Sequence, residues 1–184
     1  ELTPFTNIGF DATHTTYFRW QGLEKLAGKK VIPKKSPTEA ARAIKSAAEI
    51  KALKKSAALL WKGYQFLKKR LQVGMSEKEA ATLFEIYCLE KNADGMAFDP
   101  IVAFGKNTAL PHHRPGKACL KKSDCVLLDL GVTLNKYHSD MTRTFFLGKA
   151  DPRVVVFEAA VKAAHKAALQ LCRPGVKVGA LDKA

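Results

Sequence analysis

VLLDLGVTLNKYHSDMTRT, residues 126–144, decides how this chain is read. It opens in an apolar run, CVLLDLG at 125–131, that carries one carboxylate, Asp129. Such a run is the pattern of a strand buried on both faces, with Asp129 on the same face as Cys125 and Leu127. Asn135 marks a turn, after which KYHSDMTRTFF returns as a second strand bearing Asp140. A two-residue turn at Leu134–Asn135 sets Asp129 and Asp140 directly opposite each other, with Cβ atoms roughly 4.5–5.5 Å apart. Like charges so placed repel unless a shared proton, an arginine or a cation reconciles them. Arg143, at an odd offset from Asp140, points to the other face. Either aspartate alone would be read as a turn cap or the partner of a surface lysine. The pair, in register, points to a metal site. All-oxygen donors suit Mn²⁺ or Mg²⁺, and in a dinuclear site one carboxylate can bridge both ions.

The rest of the sequence frames this hairpin. The 184 residues suffice for one sizeable core. No apolar stretch approaches the roughly 20 residues of a membrane span, and no secretory leader stands out. The chain begins with Glu1, so its start is expected to have been removed or left out. Cys88, Cys119, Cys125 and Cys172 lie far apart with no CxxC pair, which favours free thiols in a reducing cytoplasm over disulfides or zinc. The net charge of +14 raises a nucleic-acid partner. However, Lys55, Lys62 and Lys69 recur every seven residues along one helical face with no interleaved aromatics. A solvated helix face is therefore the expectation and a nucleic-acid role is not.

SPTE at 36–39 predicts a helix start, with Ser36 as cap and Glu39 completing a capping box. A long helix is expected from there to Gly74, buried along Leu53, Ala57, Leu60, Tyr64, Leu67 and Leu71. SEKE at 76–79 opens a second helix to about Asn92, with Leu83, Phe84, Ile86, Tyr87 and Leu89 inward. MAFDPIVAFG, CVLLDLGV and MTRTFFLG read as strands. DPR at 151–153 starts a last complete helix, capped by Asp151, with its stripe on Val154, Phe157, Val161, Ala164, Ala168 and Cys172. Residues 51–71 and 152–172 share a plan: a helix with a Leu-rich end, a glycine (Gly74, Gly175), then a further short helical pattern. This suggests an internal repeat whose second copy is cut off at Ala184.

PHHRPG at 111–116 places two histidines in a loop between strands, candidates for substrate contact or proton transfer as well as for an exposed polar loop. His138 shares the face of Asp140 and is a candidate supporting partner, and His165 reads as a packed helix histidine. The chain contains no HExxH, GxSxG or P-loop.

FDPIVAFGKNTALPHH and VLLDLGVTLNKYHSDMTRTFFLG resemble the first half of the pita-bread metallopeptidases, most nearly the Xaa-Pro peptidases, aminopeptidase P and prolidase. ARAIKSAAEIKALKKSA resembles the helix that opens their catalytic domain. The resemblance implies an α+β pita-bread fold, an antiparallel sheet with helices on one face. It implies residues 1–35 as the tail of an amino-terminal domain or a linker. Residues 36–184 would then be a truncated catalytic domain whose second half begins near 152. It implies two divalent ions, commonly Mn²⁺ with Co²⁺ and Zn²⁺ as alternatives, held by two Asp, one His and two Glu. Asp129 and Asp140 match the two aspartates, with Asp140 as the bridge. His112 matches the substrate-side histidine, with His113 second, and Thr142 matches the SD-x-TRT signature and, two positions on from Asp140, is expected to support that carboxylate by hydrogen bonding. The implied substrate is a peptide with proline at the second position. The enzyme is expected to be a cytoplasmic homo-oligomer without a membrane partner. The matching His and both Glu have no counterpart before Ala184, so this chain is expected to be an inactive fragment. Methionine aminopeptidase or a creatinase-like hydrolase of the same fold, and a non-catalytic module binding protein or RNA, remain open alternatives.

Overall fold

A computed structural model describes residues 7–184. They fall into two compact units, the first ending at Ile50 and the second running from Lys51 to Ala184. In the first unit, β1 (Ile8–Asp11) and β2 (Val31–Lys34) pair in parallel, with α1 (Tyr17–Ala27) as the crossover between them. Thr16 caps α1, and Gly28 ends it in the left-handed conformation.

The expected long helix is two helices. A short α2 (Pro37–Ala43) ends at Ile44, and α3 (Ala47–Arg70) restarts behind a capping box that the sequence reading missed. Ser46 N–H donates to Glu49 Oε2 at 2.8 Å, and Glu49 N–H donates to Ser46 Oγ at 3.3 Å. Ser36 makes no capping hydrogen bond from its side chain.

In the second unit the core lies between α3, α4 (Glu77–Glu90) and one face of an antiparallel sheet. Lys55, Lys62 and Lys69 face solvent, as expected. The buried side of α3 is Ser56, Leu59, Leu60, Gly63, Tyr64 and Leu67. That of α4 is Glu77, Ala80, Ala81, Phe84 and Cys88, so the expected Ile86 and Leu89 are exposed instead. The reason is close helix packing. A Cβ on Gly63 would stand 2.7 Å from Phe84 Cε2 and 2.9 Å from Cys88 Sγ. Gly63 therefore makes room for Phe84 and Cys88, Leu83 packs at the edge of the core, and Ile86 and Leu89 are turned outward. Burial pushes the Cys88 thiol up to about 12, so it behaves as a small apolar residue. All four cysteines are free.

Strand β5 (Cys125–Leu134) is the axis of the sheet. Strand β6 (Tyr137–Phe146) pairs along its whole length. Two short strands, β3 (Gly95–Met96) and β4 (Ile101–Phe104), pair with it at Val132–Thr133 and Val126–Asp129. Val126, Leu128, Leu130 and Val132 are fully buried, while Cys125, Leu127 and Asp129 are half-buried. Burial on both faces is thus corrected: β5 alternates, with one face in the core and the other carrying Asp129. The buried Ser56 hydroxyl lies 3.0 Å from Val132 O and 2.8 Å from Ser139 Oγ, linking α3 to both hairpin strands.

Past the sheet, α5 (Pro152–Leu171) is capped by Asp151 and followed by Gly175 and α6 (Val178–Asp182). Gly74 and Gly175, at the ends of the two helices compared above, both take left-handed φ, 93° and 87°. Val154, Phe157 and Val161 of α5 are exposed. So is His165, which is not the packed histidine expected.

Candidate active site

The hairpin register differs from the expected one by one step on each strand. Asn135 and Lys136 both take positive φ, 51° and 66°, the pattern of a two-residue type I′ turn. The tip is therefore Asn135–Lys136, and Leu134 stays in β5, packed against the core. Lys136 N–H donates to Asp94 Oδ2 at 2.8 Å and holds the tip in this register. An apolar Leu134 is better kept in the strand than exposed in a turn. Asp129 consequently stands opposite Thr142, and Asp140 stands opposite Gly131.

Both carboxylates remain on one face, because the two strands shift together by an even total. They are diagonal neighbours rather than directly opposed, roughly 7–8 Å apart instead of in contact. This removes much of the repulsion and leaves room between them. Thr142 Oγ1 donates to Asp129 Oδ1 at 2.6 Å. The threonine thus supports Asp129 and not Asp140, contrary to expectation. Asp140 is exposed, and its carboxylate makes no hydrogen bond or ion pair among the described residues. Arg143 lies on the other face, its guanidinium 5.9 Å from the Trp61 ring centroid. His138 bonds Thr133 Oγ1 through Nδ1 at 2.8 Å, toward the hairpin tip and away from Asp129.

Asp129 and Asp140 line an open cavity of about 420 Å³ with His112, His113, Arg114 and the 98–101 segment. That segment is positioned by the gap between β3 and β4. Ala97 N–H still donates to Gly131 O of β5 at 3.1 Å, and residues 98–100 then leave the sheet edge, which brings Phe98 and Asp99 to the cavity. Phe98 packs against Gly131, where a Cβ would stand 2.4 Å from Phe98 Cε1 and 2.8 Å from Ser139 O.

The two histidines of PHHRPG have different surroundings. His112 is exposed, and its side chain makes no hydrogen bond among the described residues. His113 Nε2 lies 2.8 Å from Glu77 Oε2, with the carboxylate fully buried. Glu77 opens α4 and accepts three more bonds. Phe104 N–H (2.9 Å) and Asn107 Nδ2 (2.8 Å) reach Oε1, and Gly116 N–H (3.1 Å) reaches Oε2. A carboxylate offers about four acceptor positions, so Glu77 is saturated. Burial pushes its carboxyl up, but the donors Asn107, His113, Phe104 and Gly116 together outweigh that and hold it below 4.5.

Sequence reading missed Glu77 as a site residue because SEKE reads as a capping box. The box is present, formed by Ser76 and Glu79. The available signal was a second acid beside the one that the box uses. A stability consequence follows. A carboxyl held low when folded contributes stability that is full above its unfolded value near 4.5 and is lost as pH falls through the lower folded value. The urea midpoint should therefore drop more steeply between pH 6 and pH 3 in the unmodified chain than in Glu77→Gln. Parallel profiles would remove Glu77 from the acid response.

The donor chemistry of the cavity fits a divalent cation in part. Asp129 and Asp140, neither in an ion pair among the described residues, face one open space, as hard oxygen ligands do, and Asp99 and Arg114 lie on its wall. Among the described residues, however, no three His, Cys, Asp or Glu side chains are grouped to hold an ion. By themselves the two carboxylates are fewer than the three protein ligands usual at a catalytic metal centre. Nor is any described helix long and apolar enough to cross a membrane.

The model of metallopeptidase family M24 matches residues 51–184. The chain is 41% identical over 141 residues to a putative dipeptidase, YkvY, of Bacillus subtilis (strain 168), covering 77% of this chain and 39% of that one. Among solved structures, the X-Pro aminopeptidase of Thermotoga maritima MSB8 has a TM-score of 0.91 at 26% identity, covering 98% of this chain and 52% of that one. The prolidase of Pyrococcus horikoshii OT3 has a TM-score of 0.89 at 30% identity, covering 96% and 51%. The fold is the pita-bread fold of these peptidases. The chain spans about two-fifths to one-half of the length of these relatives.

Proposed function

The chain belongs to metallopeptidase family M24, and from that premise we propose that the full-length protein is a divalent-metal peptidase cutting at Xaa-Pro bonds, of the aminopeptidase P or prolidase type. One observation carries the reading: His112, Asp129 and Asp140 line the same cavity although they come from a loop and two strands. The Xaa-Pro preference draws support from the similarity to solved X-Pro aminopeptidase and prolidase structures.

In this reading Asp129 and Asp140 hold the ions, with Mn²⁺ proposed. Bound divalent ions would supply Lewis acidity toward the scissile carbonyl. Thr142 orients Asp129 by its hydrogen bond, a supporting contact of the kind that tunes metal ligands. His112, exposed and uncommitted, donates a hydrogen bond to the substrate carbonyl oxygen as negative charge builds there. Phe98, Pro100 and Ile101 form an apolar wall at the same cavity, suited to the ring of a proline. Hydrolytic zinc-type centres use three protein ligands, so two carboxylates alone should leave the 184-residue chain without peptidase activity.

The test is hydrolysis of a panel of dipeptides by the full-length protein, with proline or another residue at the second position and with or without added Mn²⁺. Metal-dependent cleavage confined to the proline members is expected. A preference for an amino-terminal methionine irrespective of the second residue would overturn the substrate assignment. His112→Ala should lower turnover by about a hundredfold while metal content holds. Equal loss of both would refute the role given to His112.

A further inference from the structure

Glu77 is a fully buried charged side chain that the proposed reaction does not use. Its four donors belong to successive segments: Phe104 at the end of β4, Asn107 in the 3₁₀ turn Gly105–Ala109, and His113 and Gly116 in the histidine loop. The stem of that loop is fastened independently by backbone bonds. Lys78 N–H donates to Gly116 O, Glu77 N–H to Ala118 O, and Leu120 N–H to Met75 O. The tip carries His112 and His113. It closes on itself through His113 N–H to Leu110 O and meets α4 through the His113–Glu77 bond.

We propose that Glu77 is a positioning residue. Its bond to His113 Nε2 fixes the tautomer of that ring and the path of residues 111–116, and so holds the neighbouring His112 at the cavity that Asp129 and Asp140 line. The proposal rests on reading that cavity as the reaction site. A carboxylate is required because all four partners can donate, and two of them, Phe104 N–H and Gly116 N–H, cannot do otherwise. A glutamine would turn its NH₂ toward one of these backbone donors whichever way it lay. His113 can change tautomer and Asn107 can flip, but the backbone N–H beside them has no such freedom. Donation from Nε2 leaves Nδ1 as the bare nitrogen of a neutral His113.

Imidazole ¹⁵N spectra and amide exchange on the 184-residue chain test the geometry, and kinetics of the full-length protein on an Xaa-Pro dipeptide test its consequence. In the unmodified chain His113 should be a single Nε2–H tautomer with Gly116 N–H protected. In Glu77→Gln one backbone amide should exchange at least about tenfold faster, Gly116 with a changed His113 tautomer or Phe104 with the Asn107 amide turned over. In the full-length protein kcat should fall about ten- to a hundredfold, with KM and bound metal within about twofold. A carboxylate that is only structural would lower the melting midpoint without changing kcat of the folded enzyme. Should Glu77→Gln not fold, the histidine variants decide. His113→Gln, whose amide still donates to Oε2, should keep the loop amides protected, and His113→Leu should not. Mixed His113 tautomers in the unmodified chain, or equal protection in those two variants, would overturn the proposal. A full-length protein that cleaves no Xaa-Pro dipeptide would overturn the reaction reading, and the spectra would still decide the role of Glu77.

Discussion

Gly131→Ala should destabilise the second unit by about 2 kcal/mol and disorganise the cavity, although it adds one methyl group to a strand. Two effects oppose each other. Alanine is worth about 0.5–1 kcal/mol over glycine in a strand interior, since glycine surrenders more freedom on folding. Against that, the added Cβ would lie 2.4 Å from Phe98 Cε1 and 2.8 Å from Ser139 O. Overfilling a packed site typically costs about 1–3 kcal/mol, and here one contact is backbone. The Phe98 ring can rotate, but only by moving in the cavity it lines. Ser139 O can retreat only if β6 separates from β5 beside Asp140, the residue paired with Gly131. Either response displaces a site residue. Urea unfolding measures the stability loss, and an unchanged midpoint would show that the hairpin absorbs the methyl group elsewhere. Gly131 acts here through close packing, since its φ is not among the left-handed ones.

The same hairpin shows what the sequence could and could not disclose. Alternation and the Asp–turn–Asp pattern place Asp129 and Asp140 on one strand face, and the structure agrees. The register was legible only to within one step per strand. Period-two patterning fixes a strand's face, but moving the turn by one residue preserves every face and changes every partner. What selects Asn135–Lys136 is a long-range bond from Lys136 N–H to Asp94, which no local pattern contains. The cap of α4 was legible because Ser76 and Glu79 sit three apart. The break before α3 was equally local, in SAAE at 46–49, but the helical pattern running across it masked the signal. Glu77 was not legible as a site residue. Its partners lie 27 to 39 residues away, and a glutamate in the first turn of a helix is ordinarily a surface charge on a favourable dipole. The inward faces of α3 and α4 were legible in part. Periodicity located Leu60, Tyr64, Leu67 and Phe84, while the close approach of Gly63 to Phe84 and Cys88, a long-range contact, left Ile86 and Leu89 outside.

Asp140→Asn in the full-length protein should abolish the thermal shift produced by Mn²⁺ and lower peptidase turnover by at least about a thousandfold, some 4 kcal/mol of transition-state stabilisation. It should do so without lowering the metal-free melting midpoint. That combination separates a ligand from a structural acid. The Asp140 carboxylate makes no hydrogen bond or ion pair among the described residues, so the apo fold loses no contact with its charge. Asp129, roughly 7–8 Å away on the same face, is relieved of a like charge. A ligand that binds only the native state raises stability by an amount that grows with its concentration over its Kd. Removing a carboxylate ligand should therefore erase the Mn²⁺ increment and leave the baseline flat or slightly higher. Asp129→Asn should differ in one respect, because Asp129 accepts the 2.6 Å bond from Thr142. An asparagine can keep that bond through its carbonyl oxygen, so the apo baseline should again hold. Thr142→Val removes the support and leaves both charges. Its Mn²⁺ affinity should fall by about ten- to a hundredfold, the usual cost of losing a group that orients a metal ligand. Calorimetric titration with Mn²⁺ measures all three. If Asp140→Asn lowers the metal-free midpoint as much as it lowers activity, Asp140 is holding the hairpin together and the metal assignment is wrong. If Thr142→Val binds Mn²⁺ like the unmodified protein, the short bond to Asp129 has no part in metal binding.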